Sequence, residues 1–129
     1  MGYHRFIAGL LGNQPITVYG DGQQMRGNTY IDDCVEGTVA ALRAPVGEIY
    51  NLGGGETASV WDILHKLEGI IGCKANVLRK SARAGDQRHT TADTARLKRY
   101  LGWQPRVWLD EGLARQVAWQ RQMQAKAAA

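Results

Sequence analysis

Tyr3, Phe6, Ile7, Leu10 and Leu11 fall at i, i+3, i+4, i+7 and i+8, one apolar stripe of a short helix, and Gly12 stands where a helix commonly stops. Ile16 to Tyr19 and Asn28 to Ile31 are short β-prone runs on either side of Gly20-Asp21-Gly22, a pattern that predicts a hairpin with a long loop containing Arg26. Asp33 followed by Glu36 has the spacing of a capping box, and Val35, Val39 and Leu42 repeat at i, i+4 and i+7 behind it. A second helix is expected over Asp33 to Arg43, stopped before Pro45. Glu48 to Leu52 reads as a compact strand broken by Gly53-Gly54-Gly55. Ser59 with Asp62 is a further capping box, opening a helix with Val60, Ile63, Leu64, Leu67 and Ile71 on one side and Gly72 at its end.

Ala75 to Leu78 reads as a strand, and Arg79 to Thr91, without a period and rich in Arg, Gly, Ala and Ser, as a loop. Asp93 is placed to cap a helix through Leu101 with Leu97, Tyr100 and Leu101 inward, closed by Gly102 and Pro105. Asp110 is placed to cap a last helix, Glu111 to about Gln124, with Leu113 and Val117 inward and a fraying Ala-rich end. The fold class is therefore mixed α/β, read as one domain over residues 1–129. Glu48 to Leu52 has the character of a buried strand, yet its one candidate parallel partner is Ala75 to Leu78, and an isolated strand pair is marginal in water. The chain reads as built to complete a sheet whose other strands it does not contain.

Composition adds little to this reading. The 129 residues are 44% hydrophobic and 22% charged, ordinary for a globular domain. Cys34 and Cys73 form no CxxC pair and no Cys/His cluster at zinc spacing, which points to a reduced, cytoplasmic protein without a metal site. The first residues lack the apolar run of a signal peptide, and nothing approaches the roughly 18 apolar residues that span a membrane. Charge is uneven: Arg79 to Arg106 carries eight basic and two acidic residues, a net +6, leaving −2 on the rest. A phosphate-bearing partner is one reading of that segment, and solvated helix and loop faces are the other. Nucleic acid is disfavoured, because no helix-turn-helix signature or aromatic stacking platform accompanies the charge.

Gly53-Gly54-Gly55-Glu56-Thr57-Ala58 formally fits the glycine pattern of a dinucleotide turn. Such a turn also needs an acidic residue about 20 positions on to hold the ribose, where this chain has Leu78, Arg79 and Lys80. A plain strand-to-helix turn is the better reading. Asp32 and Asp33 look like paired carboxylates, but Asp33 is better explained as a helix cap, Asn51 as satisfying backbone groups at a strand end and Trp103 as core. His4, His65 and His89 have no partner at nucleophile or metal spacing. Cys34 sits early in an expected helix, where the helix terminus lowers a thiol pKa; burial as a small hydrophobe is the stronger reading.

Gly20-Asp21-Gly22-x-x-x-Arg26, Tyr30-Ile31-Asp32-Asp33, Tyr50-Asn51-Leu52-Gly53, Arg83-x-Gly85-Asp86 and Leu101-Gly102-Trp103-x-Pro105 occur in this order. As a set they resemble the C-terminal half of the extended short-chain dehydrogenase/reductase family, the NAD-dependent sugar-nucleotide epimerases and dehydratases, from about His4 to Trp119. The resemblance implies a substrate-binding half that holds the diphosphate of a UDP- or TDP-sugar, with Arg26 and Arg83 at the diphosphate and Asp86 at the ribose. Many members follow the first Arg with Asp and Phe, whereas Gly27 and Asn28 follow here.

The family places a glycine loop for NAD or NADP and a catalytic Tyr-x-x-x-Lys pair in its N-terminal half. The five tyrosines here, Tyr3, Tyr19, Tyr30, Tyr50 and Tyr100, are followed four residues later by Ile7, Gln23, Cys34, Gly54 and Gln104. No catalytic set and no cofactor site are therefore expected in this chain alone, and Met1 reads as an internal start or a truncation point. Exposed strand edges and apolar patches left by a missing half invite pairing. The expected partners are a nucleotide-diphosphate sugar and either a separate dinucleotide-binding half or further copies of the chain. The alternatives are a homo-oligomeric interaction or relic domain with no ligand, and a basic nucleic-acid-binding module.

Overall fold

The computed structural model describes residues 2–127. They form an α/β structure of two compact units. The described part of the first unit covers 2–24, 59–88 and 110–127; the second covers 25–58 and 89–109.

In the first unit, helix α1 (Gly2–Leu11) leads into strand β1 (Ile16–Tyr19), helix α3 (Val60–Ile71) into strand β4 (Val77–Lys80), and helix α5 (Leu109–Ala127) lies almost wholly in the same unit. β1 and β4 pair in parallel, Ile16 opposite Val77 through Tyr19 opposite Lys80. The core is made by Ile7 and Leu10 of α1, Ile16 and Val18 of β1, Ile63, Leu64 and Leu67 of α3, and Leu113 and Val117 of α5. The Ser59–Asp62 capping box is formed in both directions, and Gly72 closes α3 in the left-handed conformation at φ 86° with its N–H donating to Glu68 O. Burying the expected stripes of α1, α3 and α5 is what joins these elements.

The second unit holds strand β2 (Met25–Gly27), most of β3 (Thr57–Ser59), β5 (His89–Thr90), and helices α2 (Ile31–Ala41) and α4 (Ala95–Leu101). The sheet order is β3-β2-β5, with Met25 opposite His89 and Arg26 opposite Thr90 in parallel. Leu97, Trp103 and Leu109 are buried here, Trp103 as core as expected.

Several expectations fail, most where a long-range contact overrides a local signal. The hairpin does not form: β1 pairs with β4, the next strand is Met25–Gly27, and α2 already begins at Ile31. Ala75 to Leu78 accordingly finds its partner in β1 rather than in Glu48 to Leu52, and the expected loop contributes the end of β4 and all of β5. Asp33 does not cap α2. Tyr30 occupies the cap position without a side-chain bond, and Asp33 lies inside the first turn, where its carboxylate accepts from the N–H groups of Arg106 at 2.9 Å and Val107 at 3.0 Å. Thr94, not Asp93, is the cap residue of α4, although Asp93 Oδ1 still accepts from Ala95 N–H. α5 begins at Leu109, so Asp110 lies within its first turn.

Glu48 to Leu52 is not a strand. The segment is held by side-chain bonds instead: Arg96 donates to Ile49 O and pairs with Glu48, and the Asn51 side chain donates to Asp93 O. Tyr100, expected inward, is exposed. So are Val35 (54%), Val39 (51%) and Leu42 (84%), with Ile31, Val46 and Ile49 exposed as well. No described helix is long and apolar enough to cross a membrane.

Candidate functional site

Strand β1 alternates: Ile16 and Val18 are buried, while Thr17 and Tyr19 face a hollow of about 390 Å³ in the first unit. The other wall of that hollow is the Arg83-x-Gly85-Asp86 segment, with Phe6 and Gln24 completing it. Gly85 takes φ 81°, a left-handed conformation that favours glycine, and the turn closes with Asp86 N–H donating to Arg83 O at 3.2 Å. The Arg83 guanidinium lies 3.8 Å from the Tyr19 ring centroid. An arginine carries about 2 kcal/mol of rotamer entropy, and this contact, at about 0.5 to 1 kcal/mol for an exposed side chain, offsets part of the cost of holding its donor fork at the hollow.

The Gly20-Asp21-Gly22 turn is held independently of a ligand. Gly20 and Gly22 have φ of 69° and 74°, and a Cβ on Gly22 would fall 2.4 Å from Trp61 Nε1. Trp61 Nε1 donates to Asp21 O at 2.7 Å, and Val60 N–H donates to Gly22 O. Arg88 Nη1 donates to both Asp21 oxygens at 2.9 and 2.7 Å, which with the Gln23 N–H holds the Asp21 carboxyl below its ordinary pKa. From the same turn, Gln24 Nε2 donates to Tyr19 O at 3.1 Å and to Asp86 Oδ2 at 3.3 Å.

Two of the three expected binding residues, Arg83 and Asp86, thus line one hollow. The third, Arg26, belongs to the second unit on β2, where its Nη1 donates to Met25 O. Tyr19 and Gln24 were not expected at the site. The signal for Tyr19 was its period-two position, opposite in phase to Ile16 and Val18; nothing local marked Gln24.

The glycine run Gly53 to Gly55 does not fit a dinucleotide phosphate. Gly54 O accepts from Thr29 Oγ1, a Cβ on Gly55 would meet Asn28 O at 2.5 Å, and the run enters strand β3 before any helix. This backbone is packed on its own unit rather than presented to a ligand. Among the described residues no three His, Cys, Asp or Glu side chains gather as a metal site. Burial, reinforced by the Asp33 charge, raises the Cys34 thiol pKa, so the helix terminus does not activate it.

A family model described as GDP-mannose 4,6 dehydratase matches residues 4–116. The UDP-glucuronate 4-epimerase of Thermodesulfobacterium geofontis is 41% identical over 124 residues, which are 95% of this chain and 38% of the relative. The dTDP-glucose 4,6-dehydratase of Streptomyces griseus is 37% identical over 117 residues, 89% of this chain and 36% of the relative. The crystal structure of UDP-glucuronic acid 4-epimerase from Bacillus cereus in complex with UDP-glucuronic acid and NAD superimposes with a TM-score of 0.90 at 40% identity, over 95% of this chain and 40% of that one. The chain therefore spans about two fifths of the relatives it matches. Its partial α/β fold is that of the C-terminal portion of a Rossmann-type enzyme. The chain belongs to the GDP-mannose 4,6-dehydratase family of extended short-chain dehydrogenase/reductases, the nucleotide-sugar epimerases and dehydratases.

Proposed function

We propose that this chain is the sugar-nucleotide-binding part of an NAD-dependent epimerase or dehydratase, taking a UDP- or TDP-sugar and performing no catalysis by itself. The observation that carries the reading is the hollow in which Arg83, stacked on Tyr19, lies on the same wall as Asp86. A diphosphate needs donors without acceptors, and the planar guanidinium fork supplies them in the paired geometry that phosphate oxygens accept. A carboxylate next to it accepts from ribose hydroxyls, the role we give Asp86. Arg26 is assigned a second diphosphate contact on the family resemblance.

The sequence contains no Tyr-x-x-x-Lys, so the acid/base tyrosine and the hold on NAD come from a dinucleotide-binding half. The setting we assign is cytoplasmic, on the two cysteines that form no CxxC pair. The test is calorimetric titration of the chain with UDP-glucose and TDP-glucose beside Arg83→Ala. One hydrogen-bonded charge contact contributes about 1.5 to 3 kcal/mol, so the variant should bind at least about tenfold more weakly. No saturable binding to the unaltered chain at millimolar ligand refutes the reading.

A second reading, self-association of the chain, is favoured by the exposed stripe Ile31, Val35, Val39 and Leu42 along and beyond α2. Light scattering at micromolar concentration decides it: a monodisperse monomer rules it out.

A further inference from the structure

We propose that Gln24 is a positioning residue of the nucleotide-sugar site, tying the end of β1 to the Arg-x-Gly-Asp turn so that Asp86 keeps its place beside Tyr19 and Arg83. This rests on the reading of the hollow given above and extends it to a residue that need touch no ligand. The two walls of the hollow come from segments 62 positions apart in sequence, and no strand pairing joins Gln24 to Asp86. Gln24 Nε2 has two protons, and the geometry uses it twice: 3.1 Å to the carbonyl of Tyr19, where β1 ends, and 3.3 Å to Asp86 Oδ2. One amide group thus bridges the backbone that carries the stacked ring and the carboxylate assigned to the ribose. Its own backbone is anchored by the turn before it, where Trp61 and Arg88 hold Asp21.

The bridge depends on donors. Glutamate has nearly the shape of glutamine but offers a carbonyl oxygen and a carboxylate no proton, and sets a second negative charge against Asp86; lysine loses the shape and keeps the donors. A packing role therefore tolerates Gln24→Glu, and a positioning role tolerates Gln24→Lys better.

The experiment has two arms on the full chain. Without ligand, the Gln24 side-chain amide resonances are followed by NMR in the unaltered protein and in Asp86→Ala; a shift of the Nε2 protons is expected, and unchanged resonances overturn the tie itself. With UDP-glucose, calorimetry compares the unaltered chain, Gln24→Glu and Gln24→Lys. The expected result is binding weakened on the order of tenfold by Gln24→Glu, largely restored in Gln24→Lys, with an unchanged thermal midpoint for both. Affinity of Gln24→Glu equal to the unaltered chain overturns the positioning role. If the unaltered chain binds no UDP-glucose while the amide still responds to Asp86→Ala, the nucleotide-sugar reading fails and takes Gln24's role in it along, leaving the tie as a structural bond.

Discussion

Asp33 offers the sharpest test of how the second unit is held together. Its side chain is 2% exposed, and both carboxylate oxygens are engaged by backbone donors 73 and 74 positions away, Arg106 N–H at 2.9 Å and Val107 N–H at 3.0 Å. Trp103 Nε1 also donates to the Asp33 main-chain oxygen at 3.1 Å. Replacing Asp33 by Ala removes two charge-assisted bonds while leaving the donors behind, at about 1.5 to 3 kcal/mol each. It also removes a negative charge from the first turn of α2, where the helix dipole favours it by about 0.3 to 1 kcal/mol. The expected loss is about 3 to 7 kcal/mol, a large part of a typical domain stability of about 5 to 15 kcal/mol. Asp33→Asn keeps one acceptor but turns an NH2 toward the other donor, so it should lose roughly half as much or more. The assay is urea denaturation followed by circular dichroism, with amide hydrogen exchange at Arg106 and Val107. A loss below about 1 kcal/mol in Asp33→Ala, with those two amides already unprotected in the parent, would refute the argument.

Three further outcomes follow from the same contacts. Gly37→Ala in the middle of α2 should destabilise by about 1 to 3 kcal/mol, against the roughly 1 kcal/mol gain usual for such a change in a helix, because the new Cβ meets Leu52 Cδ1 at 2.5 Å and Trp103 Cε2 at 2.9 Å; a more stable variant by thermal melting contradicts the packing. Asp62, bonded by the Ser59 N–H and hydroxyl, and Glu68, bonded by the Ala75 N–H and Lys74, both have pKa values lowered by folding. Their contribution is full above the unfolded carboxylate range near about 4 and is lost as pH falls through the lower folded values. Urea midpoints measured from about pH 5 to pH 2 should therefore fall, and fall less in Glu68→Gln. Val35→Lys with Val39→Lys should disperse any self-association seen by light scattering without loss of helix signal, since both side chains are already exposed.

What the sequence made legible was local. α3 is announced by a capping box that closes within one turn and ended by Gly72, and the stripe of α1 is buried by Ile7 and Leu10 as the spacing predicts. Arg83 and Asp86 were legible through motif order, and they meet at one hollow. Gln24 was not, because its meaning lies in a bond to a residue 62 positions on. Asp33 shows the same failure in reverse: its spacing to Glu36 imitates a cap, yet the donors that use it come from another part of the chain.

The failures at Glu48 to Leu52 and along α2 have a different cause. Both segments carry patterns of burial, and both are exposed: Ile49 at 77%, Val35 at 54% and Val39 at 51%. A hydrophobic pattern records what a residue faces in the whole protein, and strand formation needs a neighbour with free ladder groups. Among the described strands β4 pairs with β1 and β2 with β3 and β5, and none of them pairs with the 48–52 segment. Arg96 satisfies one backbone carbonyl of the 48–52 segment, that of Ile49, and the Asn51 side chain ties the segment to the Asp93 carbonyl, without replacing a ladder. The chain spans about two fifths of the relatives it matches, and among its described residues nothing covers Ile49, Val35 and Val39, so their inward reading fails. The same accounting bears on function: the expected binding residues lie in this chain and the expected catalytic pair does not, and binding without turnover is the property to measure in it.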